Sequence, residues 1–441
     1  MTKHIIHDII ITKQIPQRKK FVMEGNVMEI KRDYYLNELI DRIDNQLIKI
    51  ITGIRRCGKS YLLNTIFKKY LIEQGTDEEH IIQLSLDEKK NKKYLDGDIL
   101  DEYIRSLIKD DNKYYILLDE IQEVQDFESV LISFMHINNV DIYVTGSNSK
   151  FLSSDIVTEF RGRGDEIRVY PLSFAEFYSV YDGSEERALS EYYTYGGLPL
   201  TILAKTDNAK INYLKTQKDN VYINDIIDRN RVQNKEELEI LVQIIASDIG
   251  SLTNPLKLSN NFKERDKTST MTDKTIYNYL GHLQDAFMIE KARRFDVRGK
   301  RFIETPQKYY FTDMGIRNSF LDFRQSEEIS HTMENVIYIE LRKRGFNVDV
   351  GSVDIREGNA KKQLEIDFVA NKGNNKIYIQ SALEMKTEEK VKQEQKSLIN
   401  VNDFFKKIII VGDNIKKSRY DNGIIIMSIY DFLLDDNSLD Y

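Results

Sequence analysis

The chain has 441 residues, enough for two or three domains with a core each. Its 64 Lys and Arg against 71 Asp and Glu leave a net charge of −7, so any affinity for nucleic acid has to come from a local basic patch. The single cysteine, Cys57, excludes an internal disulfide and suits a reducing cytoplasm, and no apolar run approaches the roughly 18 residues of a membrane span.

Residues 1–45 read as a lead-in. The opening MTKHIIHDII has His7 and Asp8 where a signal-peptide core would be apolar. A basic stretch, Arg18-Lys19-Lys20, precedes a helical pattern around Tyr35, Leu36, Leu39 and Ile43. The run IKIITGIRRCGKSYLL that follows reads as strand, glycine loop and helix start. Gly53, Gly58, Lys59 and Ser60 complete the spacing G-x-x-x-x-G-K-[ST]. Glycines let the backbone wrap a phosphate chain with its N–H groups, and the helix points its positive end at the anion. Gly53, Ile54, Arg55, Arg56, Cys57, Gly58, Lys59, Ser60 and Tyr61 are therefore the expected cradle for a nucleoside triphosphate. Lys59 reaches the β/γ-phosphates in this scheme, and Ser60 holds Mg²⁺. Cys57 reads as a small filler of that loop.

Strands are predicted over residues 81–86, 114–118 and 141–145, and helices over 99–108 and 127–135. Alternation of this kind predicts a parallel sheet covered by helices on both faces. YYILLDE is an apolar run ending in two acids, which a buried strand delivers at its carboxyl edge, where doubly wound sheets bind ligands. Asp119 is expected to share the Mg²⁺ with Ser60, and Glu120 to orient or deprotonate the attacking water. Gly146-Ser147-Asn148 ends the next strand in polar residues, placing Ser147 as a sensor of the water or the γ-phosphate. FRGRG then offers arginines on a flexed loop; Arg163 is the preferred γ-phosphate sensor, or a finger reaching a second copy of the chain. No Asn-Lys-x-Asp string is present to read guanine, so ATP against GTP stays open on the motifs alone.

Residues 170–228 read as helical and aromatic, with turns at Gly183 and at Gly196-Gly197-Leu198-Pro199. Helices over 241–249, from Pro255, and from Thr272 or Asp273, then strands over 289–295 and 308–311 around Arg298-Gly299-Lys300-Arg301, spell a winged helix-turn-helix. Its third helix would expose Lys274, Tyr277, Asn278 and His282, and its hairpin Arg293 and Arg294, groups that suit double-stranded DNA. The bland alternative for a winged helix is a packing or subunit contact. A last α/β unit places Glu365 and Asp367 on one strand.

With these residues in view, the chain resembles the prokaryotic AAA+-like ATPases that carry a C-terminal domain of unknown function. The strings TGIRRCGKS, ILLDEIQEV, VTGSNS, GRGDEIRVYPLSFAEF and YGGLP carry the resemblance. It implies an α/β P-loop NTPase sheet, then a winged helix and a restriction-endonuclease-like α/β domain, and supports helper roles for Ser147 and Arg163. The expected division is a lead-in over 1–45, an ATPase core over 46–180, a helical lid over 181–239, a winged helix over 240–325 and a nuclease-like domain over 326–441. Nucleases of that fold need an acid on one strand and Glu-x-Lys on the next, so that two carboxylates bind Mg²⁺. Asp367 fills the first place and Glu334 can assist, but Gln380 and Ala382 stand where Glu and Lys are expected. Glu384 and Lys386 keep the spacing four residues later. The leading expectation is a Mg²⁺-dependent ATPase that couples ATP turnover to DNA binding, in the cytoplasm and without membrane contact. The alternatives are a nucleotide-dependent scaffold with negligible turnover, an ATP-gated nuclease, or a small-molecule kinase.

Overall fold

The structure is a computed structural model that describes residues 30–146, 160, 162–324, 329–358 and 360–440. Among them, two sheets organise the chain. The first has strands β1 (Ile48–Thr52), β2 (Ile81–Ser85), β3 (Tyr114–Asp119), β4 (Val140–Thr145) and β5 (Gly164–Arg168), all parallel, in the order β2-β3-β4-β1-β5. All five positions of β1, IKIIT, are buried, as a strand covered on both faces requires. Its side chains alternate between two cores. Ile48 and Ile50 pack with Ile116, Leu118, Ile142 and Val144 on one face. Ile51 joins Phe67, Leu117 and Tyr143 on the other. Even Lys49 is buried there, paired with Asp141 and lying 4.7 Å from the Tyr143 ring centroid.

Helices over Glu185–Tyr195, Asp207–Gln217, Asn224–Asn230 and Lys235–Ser247 extend the second of these cores. The helix Asp273–Asp285 follows the sequence expectation closely. Thr272 caps it by accepting from the Thr275 N–H at 3.1 Å, and Ile276, Tyr279, Leu280 and Leu283 form its buried stripe.

The second sheet is mixed, ordered β12-β13-β11-β10-β9-β8-β6-β7. Its strands are β6 (Ile289–Asp296), β7 (Arg301–Phe311), β8 (Asn347–Glu357), β9 (Ala360–Lys372), β10 (Asn375–Ala382), β11 (Lys406–Val411), β12 (Ser418–Arg419) and β13 (Ile425–Ser428). The hairpin expected as a wing is therefore the edge of a larger sheet: Arg294, Phe295 and Asp296 of β6 pair in parallel with Val350, Gly351 and Ser352 of β8. One apolar core runs without interruption from Leu39 and Ile51, through Leu241 and Leu280, to Ile408 and Phe432.

Candidate functional site

The glycine loop leaves β1 at the carboxyl edge of the first sheet. Gly53 has φ +140°, and a Cβ there would lie 2.1 Å from the Val169 carbonyl oxygen. Gly58 has φ +100°. Both positions demand glycine, the first for close backbone approach and the second for its dihedral. Lys59 is buried and donates to the Gly53 and Ile54 carbonyls at 2.9 and 3.2 Å, so its ammonium sits inside the cradle. Cys57 is fully buried, its Sγ 3.5 Å from the Val169 carbonyl, which fits the filler reading.

The loop is braced from both sides by groups the motif does not contain. Arg32 is buried, donating to the carbonyls of Cys57 (3.0 Å) and Tyr170 (2.7 Å) and pairing with Glu176 (3.0 Å). From the helical segment, Tyr222 Oη donates to the Arg55 carbonyl at 2.9 Å, and Asp225 pairs with the Arg55 guanidinium at 3.3 Å.

Asp119 ends β3 beside the loop. Burial raises its carboxyl above the ordinary range, hydrogen bonds from Thr145 and Ser60 pull it back, and the Glu120 and Asp87 charges push it up again. Glu120 adopts a left-handed backbone, φ 55°, which costs a non-glycine residue about 1 kcal/mol or more. Its N–H donates to Thr145 Oγ1 at 3.0 Å, while the Thr145 hydroxyl donates to Asp119 Oδ1. Gln122 in turn holds the Glu120 carboxylate. Thr145 therefore orients both acids, a role the sequence reading missed. The signal was there: polar Thr145 ends the apolar run Ile142-Tyr143-Val144 of β4, one step beyond the Leu118–Val144 pairing.

Lys59, Ser60, Asp119 and Glu120 are thus brought together. Ser147 lies outside the described residues. Arg163 is exposed but sits at the other edge of the sheet: its carbonyl accepts from the Ile48 N–H at 2.9 Å, at the start of β1, and β1 and β5 run parallel from there. At about 3.3 Å per residue that edge is some 13 Å from the glycine loop. The expectation of Arg163 as a γ-phosphate sensor within its own chain is corrected by this register.

The second expected surface divides. Lys274, Tyr277 and Asn278 are exposed on the helix Asp273–Asp285, and His282 is half-buried. Arg293 is exposed, with Asp349 at 3.4 Å and the Phe302 ring centroid at 4.0 Å. Arg294 is not available: it is buried and donates to Gln363 at 2.7 Å. Adjacent residues of a strand face opposite sides, so both arginines could not point outward.

Residues 45–178 match the AAA domain family, and residues 186–327 match a domain of unknown function (DUF8612). An uncharacterized protein of Haemophilus influenzae is 34% identical over 412 residues, covering 92% of this chain and 98% of its own length. An uncharacterized protein of Methanocaldococcus jannaschii, MJ1544, is 28% identical over 432 residues, 93% of this chain and 90% of its own. Among solved structures, the Walker-type ATPase PABY2304 of Pyrococcus abyssi is similar at 15% identity and a TM-score of 0.47, covering 66% of this chain and 96% of that one.

Proposed function

We propose, from the premise that the chain belongs to the family of that Haemophilus influenzae protein and carries an AAA domain, that it binds ATP and hydrolyses it in step with a DNA-binding event. The observation that carries the hydrolytic part is the pairing of Asp119 and Glu120 through Thr145, beside a phosphate cradle that already holds Lys59. A binding loop alone would not require the second acid to be held in a strained backbone.

Each residue has a part. Loop N–H groups and Lys59 take the β- and γ-phosphates. Ser60 and Asp119 fit Mg²⁺: the hydroxyl and the carboxylate are hydrogen-bonded to each other, and the buried carboxylate gains from a cation. When bound, the ion supplies positive charge against the phosphate oxygens. Glu120 accepts the proton of the attacking water or orients it, its carboxylate held by Gln122. Arg163 acts, on this reading, on the γ-phosphate of a second copy. The single thiol keeps the cytoplasm as the proposed setting, and among the described residues no helix is long and apolar enough to cross a membrane.

The DNA part rests on the exposed Lys274, Tyr277, Asn278 and Arg293. A physical link between that region and the nucleotide site supports coupling. Glu290, on β6, accepts from Arg168 at the end of β5 (3.1 Å), from Tyr170 Oη (2.6 Å) and from Arg342 (2.8 Å). Arg168 pairs in register with Thr52, the residue before Gly53. The test is steady-state ATP hydrolysis with and without double-stranded DNA at low and moderate salt, in wild type and in Lys274→Ala/Arg293→Ala. Salt-sensitive stimulation that fades in the double variant is expected. Turnover indifferent to DNA would assign this surface to assembly instead.

A further inference from the structure

The C-terminal cleft, of about 980 Å³, is lined by Glu334, Glu365, Asp367 and Gln380. The fold resemblance implies Mg²⁺ here, and the residues do not fit it. Against two of these acids lies Lys308, a residue of β7 outside the acid and Glu-x-Lys pattern. Its ammonium, buried within the sheet, stands 3.1 Å from Glu334 Oε1 and 2.6 Å from Glu365 Oε1, and its charge bears on Asp367 as well. Glu334 and Asp367 have further partners. Tyr310 Oη donates to Glu334 Oε1 at 2.6 Å, His331 lies 3.8 Å from Glu334 Oε2, and the Ser381 N–H donates to Asp367 Oδ2 at 2.7 Å. Gln380 accepts from the Ser397 hydroxyl at 3.3 Å and brings no charge. A hard divalent ion needs several oxygen ligands free to turn toward it. Among the described residues, no group of three or more His, Cys, Asp or Glu side chains is arranged to hold a metal.

We propose that Lys308 is the resident cation of this cleft: its ammonium takes the place a divalent ion would need, ties β7 to β9 and the helix Ile329–Lys343, and leaves a metal-independent cleft. A buried carboxylate such as Glu334, with Asp367 beside it, is strongly unfavourable without a counter-charge, and the Lys308 ammonium supplies one permanently. The cleft then does not cut nucleic acid by metal catalysis.

The test is Mn²⁺ binding to the nucleotide-free full chain by paramagnetic resonance, in an Asp119→Asn background that silences the ATPase site. Two results are expected: no Mn²⁺ bound tighter than the millimolar range, and, once Lys308→Met is added, one new stoichiometric Mn²⁺ whose binding restores thermal stability lost in chelator. Stoichiometric Mn²⁺ binding with Lys308 present, abolished by Asp367→Asn, would overturn the proposal. So would a Lys308→Met chain as stable in chelator as its parent. Should Lys308→Met fail to fold even with Mn²⁺, Glu334→Gln and Glu365→Gln are added to it. Recovery of folding supports the counter-ion role, and continued failure of the triple variant refutes it.

Discussion

The Thr145 hydroxyl donates to the Asp119 carboxylate and at the same oxygen accepts the Glu120 N–H, so one side chain at the end of β4 fixes two acids at the end of β3. Thr145→Val keeps the shape and removes the bridge. The buried groups left without a partner cost about 1–3 kcal/mol of stability. Displacing the two acids should lower kcat by up to about a hundredfold with a much smaller change in KM. Matched kinetics and denaturant titration check this; an unchanged kcat would mean that the acids hold their places without Thr145.

Arg163 lies at the edge of the sheet remote from its own glycine loop, so a finger role requires another chain. Lys59→Ala and Arg163→Ala chains should each be inactive alone. Mixed together they should recover turnover, since an intact Arg163 can then face an intact Lys59. Full activity of Arg163→Ala alone would remove the finger role.

Glu290 joins the two sheets. Burial pushes its carboxyl up, but the Arg342 and Arg168 charges and the Tyr170 hydrogen bond outweigh it and hold it below the ordinary range. Glu290→Gln leaves two guanidinium groups without their shared counter-charge. A loss of about 3 kcal/mol is expected in denaturant unfolding, together with weaker stimulation of turnover by DNA. Normal stimulation in a destabilised variant would separate the structural role from the coupling role.

Asp313 is buried, accepting from the Gly197 N–H at 2.7 Å and the Ile316 N–H at 2.9 Å. Burial raises its carboxyl to about 6, against the backbone hydrogen bonds that lower it. A carboxyl raised on folding keeps its proton longer in the folded state. Its contribution is therefore complete below the unfolded value of 3.8 and is lost as pH rises through about 6, a span on the order of 3 kcal/mol. The stability of wild type relative to Asp313→Asn should fall across that window and level off above it. A difference that does not vary with pH would show that folding leaves the titration of Asp313 unchanged.

Local pattern made part of this molecule legible. The glycine spacing around Lys59, the apolar run into Asp119 and Glu120, and the Thr272 cap are all set by neighbours in sequence, and the elements form where those signals stand. What was missed depends on register between distant segments. The place of Arg163 follows from β5 pairing with β1, and the hairpin's place in the larger sheet from β6 pairing with β8. Lys308 meets Glu334 26 residues later along the chain. The inward turn of Arg294 is different: the two-residue period of a strand was enough to foresee it.

The central claim is that Glu120 activates water over a cradle built around Lys59. It is tested most directly by measuring ATP binding and ATP hydrolysis side by side in wild type, Glu120→Gln and Lys59→Ala. Glu120→Gln should bind ATP as wild type does and turn over at least about a hundredfold more slowly, while Lys59→Ala should lose binding as well. Turnover at the wild-type rate in Glu120→Gln would contradict the account.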